Sequence, residues 1–142
     1  MSVNDTLEYL IVLTRHVHKG DSSAATLALL IDLDFQPHMD GFDYLRKSIL
    51  IKTMNVCVRL SEIYHEITDN TDLEVGTTQI DQSIRNLLSD AWKSKDLTKW
   101  RYFFSESVLC GNRPSNFVFI AKIACFIELW NSWCKEVACH EQ

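Results

Sequence analysis

The histidines and cysteines are the side chains here best suited to metal or nucleophilic chemistry, and their spacing argues against both. His16 and His18 stand two apart, which on a helix turns them to opposite sides and keeps them from sharing an ion. Cys57, Cys110, Cys125, Cys134 and Cys139 form no Cys-x-x-Cys pair, and five is a poor count for a closed set of disulfides. Cys134, Cys139 and His140 gather near the C-terminus without a fourth ligand, whereas structural zinc sites show paired ligand spacing. Cys57 and Cys125 are expected to be buried free thiols, and reduced thiols suit a cytoplasmic protein. No phosphate-cradling GxxxxGK[ST], no GxGxxG, no HExxH and no GxSxG elbow occurs. No pair of carboxylates is set apart by spacing or by an apolar pocket. The expectation is no catalysis, no cofactor and no metal.

The remaining chemistry is electrostatic and hydrogen-bonding. The chain carries 14 basic and 19 acidic side chains, a net charge of −5, but they are unevenly spread. Residues 1–75 hold six Lys or Arg against twelve Asp or Glu. Residues 76–122 hold seven (Arg85, Lys93, Lys95, Lys99, Arg101, Arg113 and Lys122) against four. A moderately basic middle third between acidic flanks reads either as solvated helix surface or as a small footprint for phosphates.

The elements that must carry these groups are helical. A chain of 142 residues is the size of one ordinary domain and can bury a sizeable core unaided. Four glycines and two prolines are too few for a turn-rich β fold. The N-terminus lacks a basic leader and a small-residue cleavage site, so no secretory signal is expected. No apolar run comes near the roughly 18 residues of a membrane span, because Lys122 and Glu128 interrupt the longest candidate. No membrane association is therefore expected.

Along the chain, Leu7, Leu10 and Ile11 predict a helix over 4–18, closed by Gly20. Asp21, Ser22 and Ser23 open a second, well-buried helix that Pro37 and Gly41 stop. A long amphipathic pattern from Phe42 to Ile67 exceeds the usual helix length and admits a break near Lys52–Asn55. The polar connector TDNTDLEVG follows. Thr77 or Thr78 is expected to cap a strong helix over 77–93, with Asp81 in its first turn and Ile80, Ile84, Leu87, Leu88, Ala91 and Trp92 as its apolar stripe. A short helix LTKWRYFF, a loop SESVLCGNRP and a last, largely apolar helix from Ser115 complete an all-α, compact bundle of about six to seven helices. One domain spans 1–142, with an extra N-terminal helix over 1–20 and a C-terminal tail over 131–142.

Three segments in order, QPHMDGFDYLRKSIL (36–50), TTQIDQSIRNLLSDAW (77–92) and RPSNFVFIAKIA (113–124), resemble the C-terminal DNA-binding effector domain of the sporulation master response regulator of endospore-forming bacteria. The likeness is carried by His38, Gly41, Phe42, Tyr44, Leu45 and Arg46, then by Ile80, Ile84, Arg85, Ala91 and Trp92. Arg113, Pro114, Ser115, Asn116, Phe119, Ile120 and Ala121 complete it, over roughly 22–130. It implies a helix-turn-helix whose second helix, about 77–93, enters the major groove of double-stranded DNA and so regulates transcription. By position, the base-facing residues implied are Gln79, Asp81, Gln82, Arg85 and Asn86, with Lys93, Lys95, Lys99 and Arg113 on phosphates.

The spacing agrees: with Ile80, Ile84, Leu87 and Leu88 inward, Gln79, Gln82 and Asn86 lie outward at i, i+3 and i+7. Gln and Asn can pair bidentately with adenine, Arg85 suits guanine or phosphate, and Asp81 can accept from cytosine N4 or support the helix terminus. Gln79 and Gln82 stand where the family offers arginines, each worth about 1–3 kcal/mol of contact. The connector is longer than the family's and brings Asp69, Asp72 and Glu74. Some twenty residues precede the effector-like region, which predicts a stand-alone effector without a receiver domain. The alternative is a protein-interaction module for RNA polymerase, a sigma factor or a homologous regulator, or a homodimer. Phe117, Phe119, Phe126, Trp130 and Trp133 would then form a partner surface if Trp130 and Trp133 are exposed together.

Overall fold

The structure, a computed structural model, describes residues 21–70, 75–94 and 96–140, apart from the side chains of Leu97 and of 137–140. The expected helix over 4–18, Lys95, Asp72, Glu74 and the side chains of Cys139 and His140 lie outside this range. The described residues form six helices and no strand, the all-α bundle expected: α1 Ser22–Asp32, α2 Asp40–Met54, α3 Leu60–Asp69, α4 Thr77–Lys93, α5 Leu97–Cys110 and α6 Asn116–His140.

α1 begins where Asp21 accepts a hydrogen bond from the Ala24 amide at 3.0 Å, a side-chain N-cap. It ends with Asp34 in the left-handed region (φ 69°) and the Phe35 amide donating to the Leu30 carbonyl, the six-residue closure of a Schellman turn. α2 starts at Asp40, two residues before the expected Phe42, and carries Asp40 and Asp43 in its first turn, where the helix dipole favours them.

The long amphipathic pattern does break, after Met54. Lys52 holds that corner. It is almost fully buried, and its Nζ donates to the carbonyls of Val56 (2.6 Å) and Val58 (2.9 Å) while lying 5.4 Å from the centre of the Phe117 ring. An ammonium can be buried here because carbonyls and a ring face replace its hydration.

α2 is the axis of the bundle. It packs most extensively on α4 and α6, and also touches α1 and α3. The crossing with α4 is close enough that a Cβ on Gly41 would fall inside contact distance of the Ser83 carbonyl. α5 is fastened by aromatic side chains. Fully buried Trp100 meets Phe35, Trp92, Phe104 and Phe119 at centroid distances of 5.5–5.9 Å, and Phe104 stacks on Phe119 at 5.1 Å.

Four expectations are corrected. The helix expected to end at Phe104 only kinks there (φ −132°, ψ 49°) and continues to Cys110, so much of the expected 105–114 loop is helical. The kink brings Phe103 and Phe104 both into the core, and Gly111 at φ 74° then ends the helix. Cys57 and Cys125 are exposed, Cys57 on the α2–α3 corner and Cys125 on the outer side of α6; among the described thiols the buried one is Cys134. α6 is long and apolar enough over 116–136 to cross a membrane by length and composition, contrary to the expectation from its charges. Phe119, Ile120, Ile123, Ile127 and Trp130 of that helix line the domain core. The cap of α4 is the fourth: Gly76 occupies the N-cap, with no side-chain bond, and Thr77 is already helical.

Gly41→Ala tests the α2–α4 crossing. Alanine is the better helix former by about 1 kcal/mol, yet the added methyl meets backbone, which yields poorly. The expected outcome is net destabilisation of about 1–3 kcal/mol, read from the shift in urea midpoint.

Candidate nucleic-acid interface

α4 presents two chemically distinct faces. Ile80, Ile84, Leu87, Leu88 and Ala91 are buried, and Trp92 is half-buried beside Trp100. On the outer side Gln79, Gln82, Arg85, Asn86 and Lys93 are exposed, along with Asp90. The 3.6-residue period accounts for this division: 79, 82, 86 and 93 recur on one side, while 80, 84, 87 and 91 recur on the other.

The outer side chains are linked in i, i+4 pairs. Gln82 Nε2 donates to Asn86 Oδ1 at 2.8 Å, and Arg85 Nη2 donates to Asp81 Oδ2 at 2.9 Å. The first pair ties up the Asn86 carbonyl and leaves the Asn86 amide as donor and the Gln82 carbonyl as acceptor. An adenine edge offers the complementary N7 acceptor and N6 donor.

Asp81 lies in the second turn of α4, not the first, and is drawn inward on its other oxygen. The Tyr64 hydroxyl of α3 donates to Asp81 Oδ1 at 2.9 Å. Asn116, the first residue of α6, turns its Nδ2 away from its own helix. It donates to Asp81 Oδ1 (3.0 Å), to the Asp81 carbonyl (3.1 Å) and to the Tyr64 hydroxyl oxygen (3.3 Å). The cap of α6 falls instead to Ser115, whose Oγ accepts from the Val118 amide at 3.2 Å. One carboxylate therefore joins three helices and one exposed arginine. Burial, aided by the neighbouring Asp81 carboxylate, pushes the Tyr64 hydroxyl well above the usual phenol range, so it remains a proton donor throughout the accessible pH range.

The basic residues expected on phosphates are dispersed. Lys93 is exposed in the last turn of α4. Lys99 is turned to the end of α1, where its Nζ donates to the Asp32 carbonyl (3.2 Å) and pairs with the Asp32 carboxylate (3.3 Å). Arg113 is half-buried and donates to the Pro114 carbonyl at 3.1 Å. Of the acidic connector, Asp69 is exposed at the end of α3.

In the last helix Phe119, Phe126 and Trp130 are buried, Trp133 is half-buried and Phe117 is exposed, so Trp130 and Trp133 form no joint surface patch. Among the described residues no cluster of three or more His, Cys, Asp or Glu could hold a metal. Tyr64 and Asn116 were not expected at this site. A signal for Tyr64 existed, because a tyrosine one position from Ile63 on a buried stripe must find a partner for its hydroxyl.

Asn116→Ala removes a buried donor shared among three acceptors, two of them on Asp81. The expected cost is about 1–3 kcal/mol in chemical unfolding, with the helical circular dichroism of the folded state unchanged.

Residues 26–127 match the family model described as "Sporulation initiation factor Spo0A C terminal". No curated protein and no solved structure matches the chain.

Proposed function

The chain belongs to the sporulation initiation factor Spo0A C-terminal family, a family of DNA-binding regulatory domains, and from that membership we propose that it is a sequence-specific DNA-binding regulator of transcription. In this reading α3 and α4 act as a helix-turn-helix, and α4 is the recognition helix in the major groove. The observation that carries it is the outer face of α4: Gln79, Gln82, Arg85 and Asn86 exposed together, opposite a fully buried stripe, on the segment the family match covers.

The roles follow from donor and acceptor geometry. The Gln82–Asn86 pair offers an acceptor beside a donor, which suits adenine. Arg85 keeps donors beyond the one given to Asp81 and suits the O6 and N7 of guanine. Gln79, one turn nearer the N-terminus, extends the read-out, and Lys93 contacts a phosphate. Asp81 has both carboxylate oxygens engaged within the protein, so its part is to support Arg85 rather than to meet a base. A regulator of this kind works beside the nucleoid, in the cytoplasm.

The test is fluorescence anisotropy with a duplex enriched by the protein from a randomised pool, beside a scrambled duplex, over a salt series. Preferential binding that weakens as salt rises is expected. Arg85→Ala should lower affinity for the enriched duplex by about 1–3 kcal/mol and narrow the preference. Lys93→Ala should weaken both duplexes alike and reduce the salt slope by about one. Absence of binding even at low salt would overturn the reading and leave the fold to a protein-interaction role.

A further inference from the structure

We propose that Tyr64 and Asn116, acting through Asp81, fix the direction of the Arg85 guanidinium so that its outer donors are already aimed at a guanine before DNA arrives. They are positioning residues for base reading, on helices other than the one that enters the groove. The proposal deepens the DNA-reading assignment of α4 and rests on it.

An arginine on an open helix face samples many rotamers, and a single i, i+4 carboxylate does little to restrain it, because the carboxylate itself rotates. Here the carboxylate does not rotate freely. Two donors from buried residues, Tyr64 and Asn116, converge on Oδ1, and the Asn116 amide also holds the Asp81 carbonyl. With Oδ1 tied, the position of Oδ2 is set, and Arg85 Nη2 bonds to that oxygen at 2.9 Å.

The pair itself contributes little to stability, since Arg85 is 52% exposed and the spacing is that of an ordinary surface ion pair. Its geometry matters more. A guanidinium reads guanine through two parallel donors, and ordering that fork beforehand removes an entropic cost from binding. The raised Tyr64 hydroxyl stays protonated as pH rises, so it keeps its place as a donor to Asp81.

The experiment is a double-mutant cycle between Tyr64→Phe, which deletes one hydroxyl and keeps the ring, and Arg85→Ala. The probes are the duplex the wild-type protein enriches from a randomised pool and a scrambled duplex. Tyr64→Phe is expected to weaken the enriched duplex about 3- to 10-fold and to leave the scrambled one unchanged. With Arg85 already alanine it should have no further effect. Equal loss on both duplexes, or the same loss with and without Arg85, would mark Tyr64 as merely structural and overturn the proposal.

Asp81→Asn is the second variant should Tyr64→Phe fold poorly. It keeps the side-chain size and removes the carboxylate charge that holds Arg85, and the same selective loss is expected. If the wild-type protein enriches no sequence, the groove-reading assignment fails by itself. Whether Tyr64 restrains Arg85, apart from any use in base reading, is then decided by NMR of the Arg85 guanidinium. Rotation that is restricted in the wild type and fast in Tyr64→Phe supports the restraint; equal mobility in both overturns it.

Discussion

The bundle depends on one close approach. Gly41, near the start of α2, lies so near the Ser83 carbonyl of α4 that no side chain can stand between them. Helices normally keep 8–10 Å between their axes because side chains occupy the gap. Removing the Cβ at this one point lets α2 settle onto the α4 backbone, and everything on α4 takes its bearing from that. Ile80 and Ile84, on either side of Ser83, are driven fully into the core. Their burial leaves Gln79, Gln82 and Asn86 nowhere to point but outward. α2 also packs on α1, α3 and α6, so it refers α4 to most of the domain, and α4 meets α3 and α6 directly as well.

The polar interactions then do what apolar packing cannot. Hydrophobic contact is non-directional and tolerates small rotations of a helix about its axis. A carboxylate held by Tyr64 from α3 and Asn116 from α6 does not, because each hydrogen bond weakens steeply once misaligned. Buried networks of this kind add little net stability when complete and cost much when broken, which makes them devices for specifying one arrangement. Lys52 plays a comparable part at the α2–α3 corner, where one ammonium closes two carbonyls that the break in the helix would have left open.

What was legible in the sequence follows from the range of the forces involved. The extent of α4 but not its cap, the openings of α1 near Asp21 and of α6 near Ser115, and the inward set Ile80, Ile84, Leu87 and Leu88 are local matters of period and composition, and they were readable. So was the break of the long pattern near Lys52–Asn55, because twenty-six residues exceed what a globular helix usually sustains. The extension of α5 beyond Phe104 was not readable, since two adjacent phenylalanines demanding burial impose a kink that no propensity announces. Cys57 and Cys125 were misplaced because a small apolar residue is informative only with its helix phase, and that phase is set by the packing of α2 and α6. Asn116 stood within a recognised motif, yet its partner lies thirty-five positions away on another helix, beyond any reading of spacing.

The charge of the protein constrains how such a face could work. The sum is −5, and two of the cations expected on phosphates are engaged internally, Lys99 on Asp32 and Arg113 on the Pro114 carbonyl. Most non-specific affinity for DNA comes from released counterions, in proportion to the phosphates neutralised. With Lys99 and Arg113 so engaged, they are drawn away from that term in the DNA-reading proposed for α4. What remains must come from hydrogen bonds to base edges, whose yield depends on how little entropy is lost in forming them. On the face proposed to read DNA, an Arg85 held by Asp81 and a paired Gln82–Asn86 are the physical means of keeping that loss small.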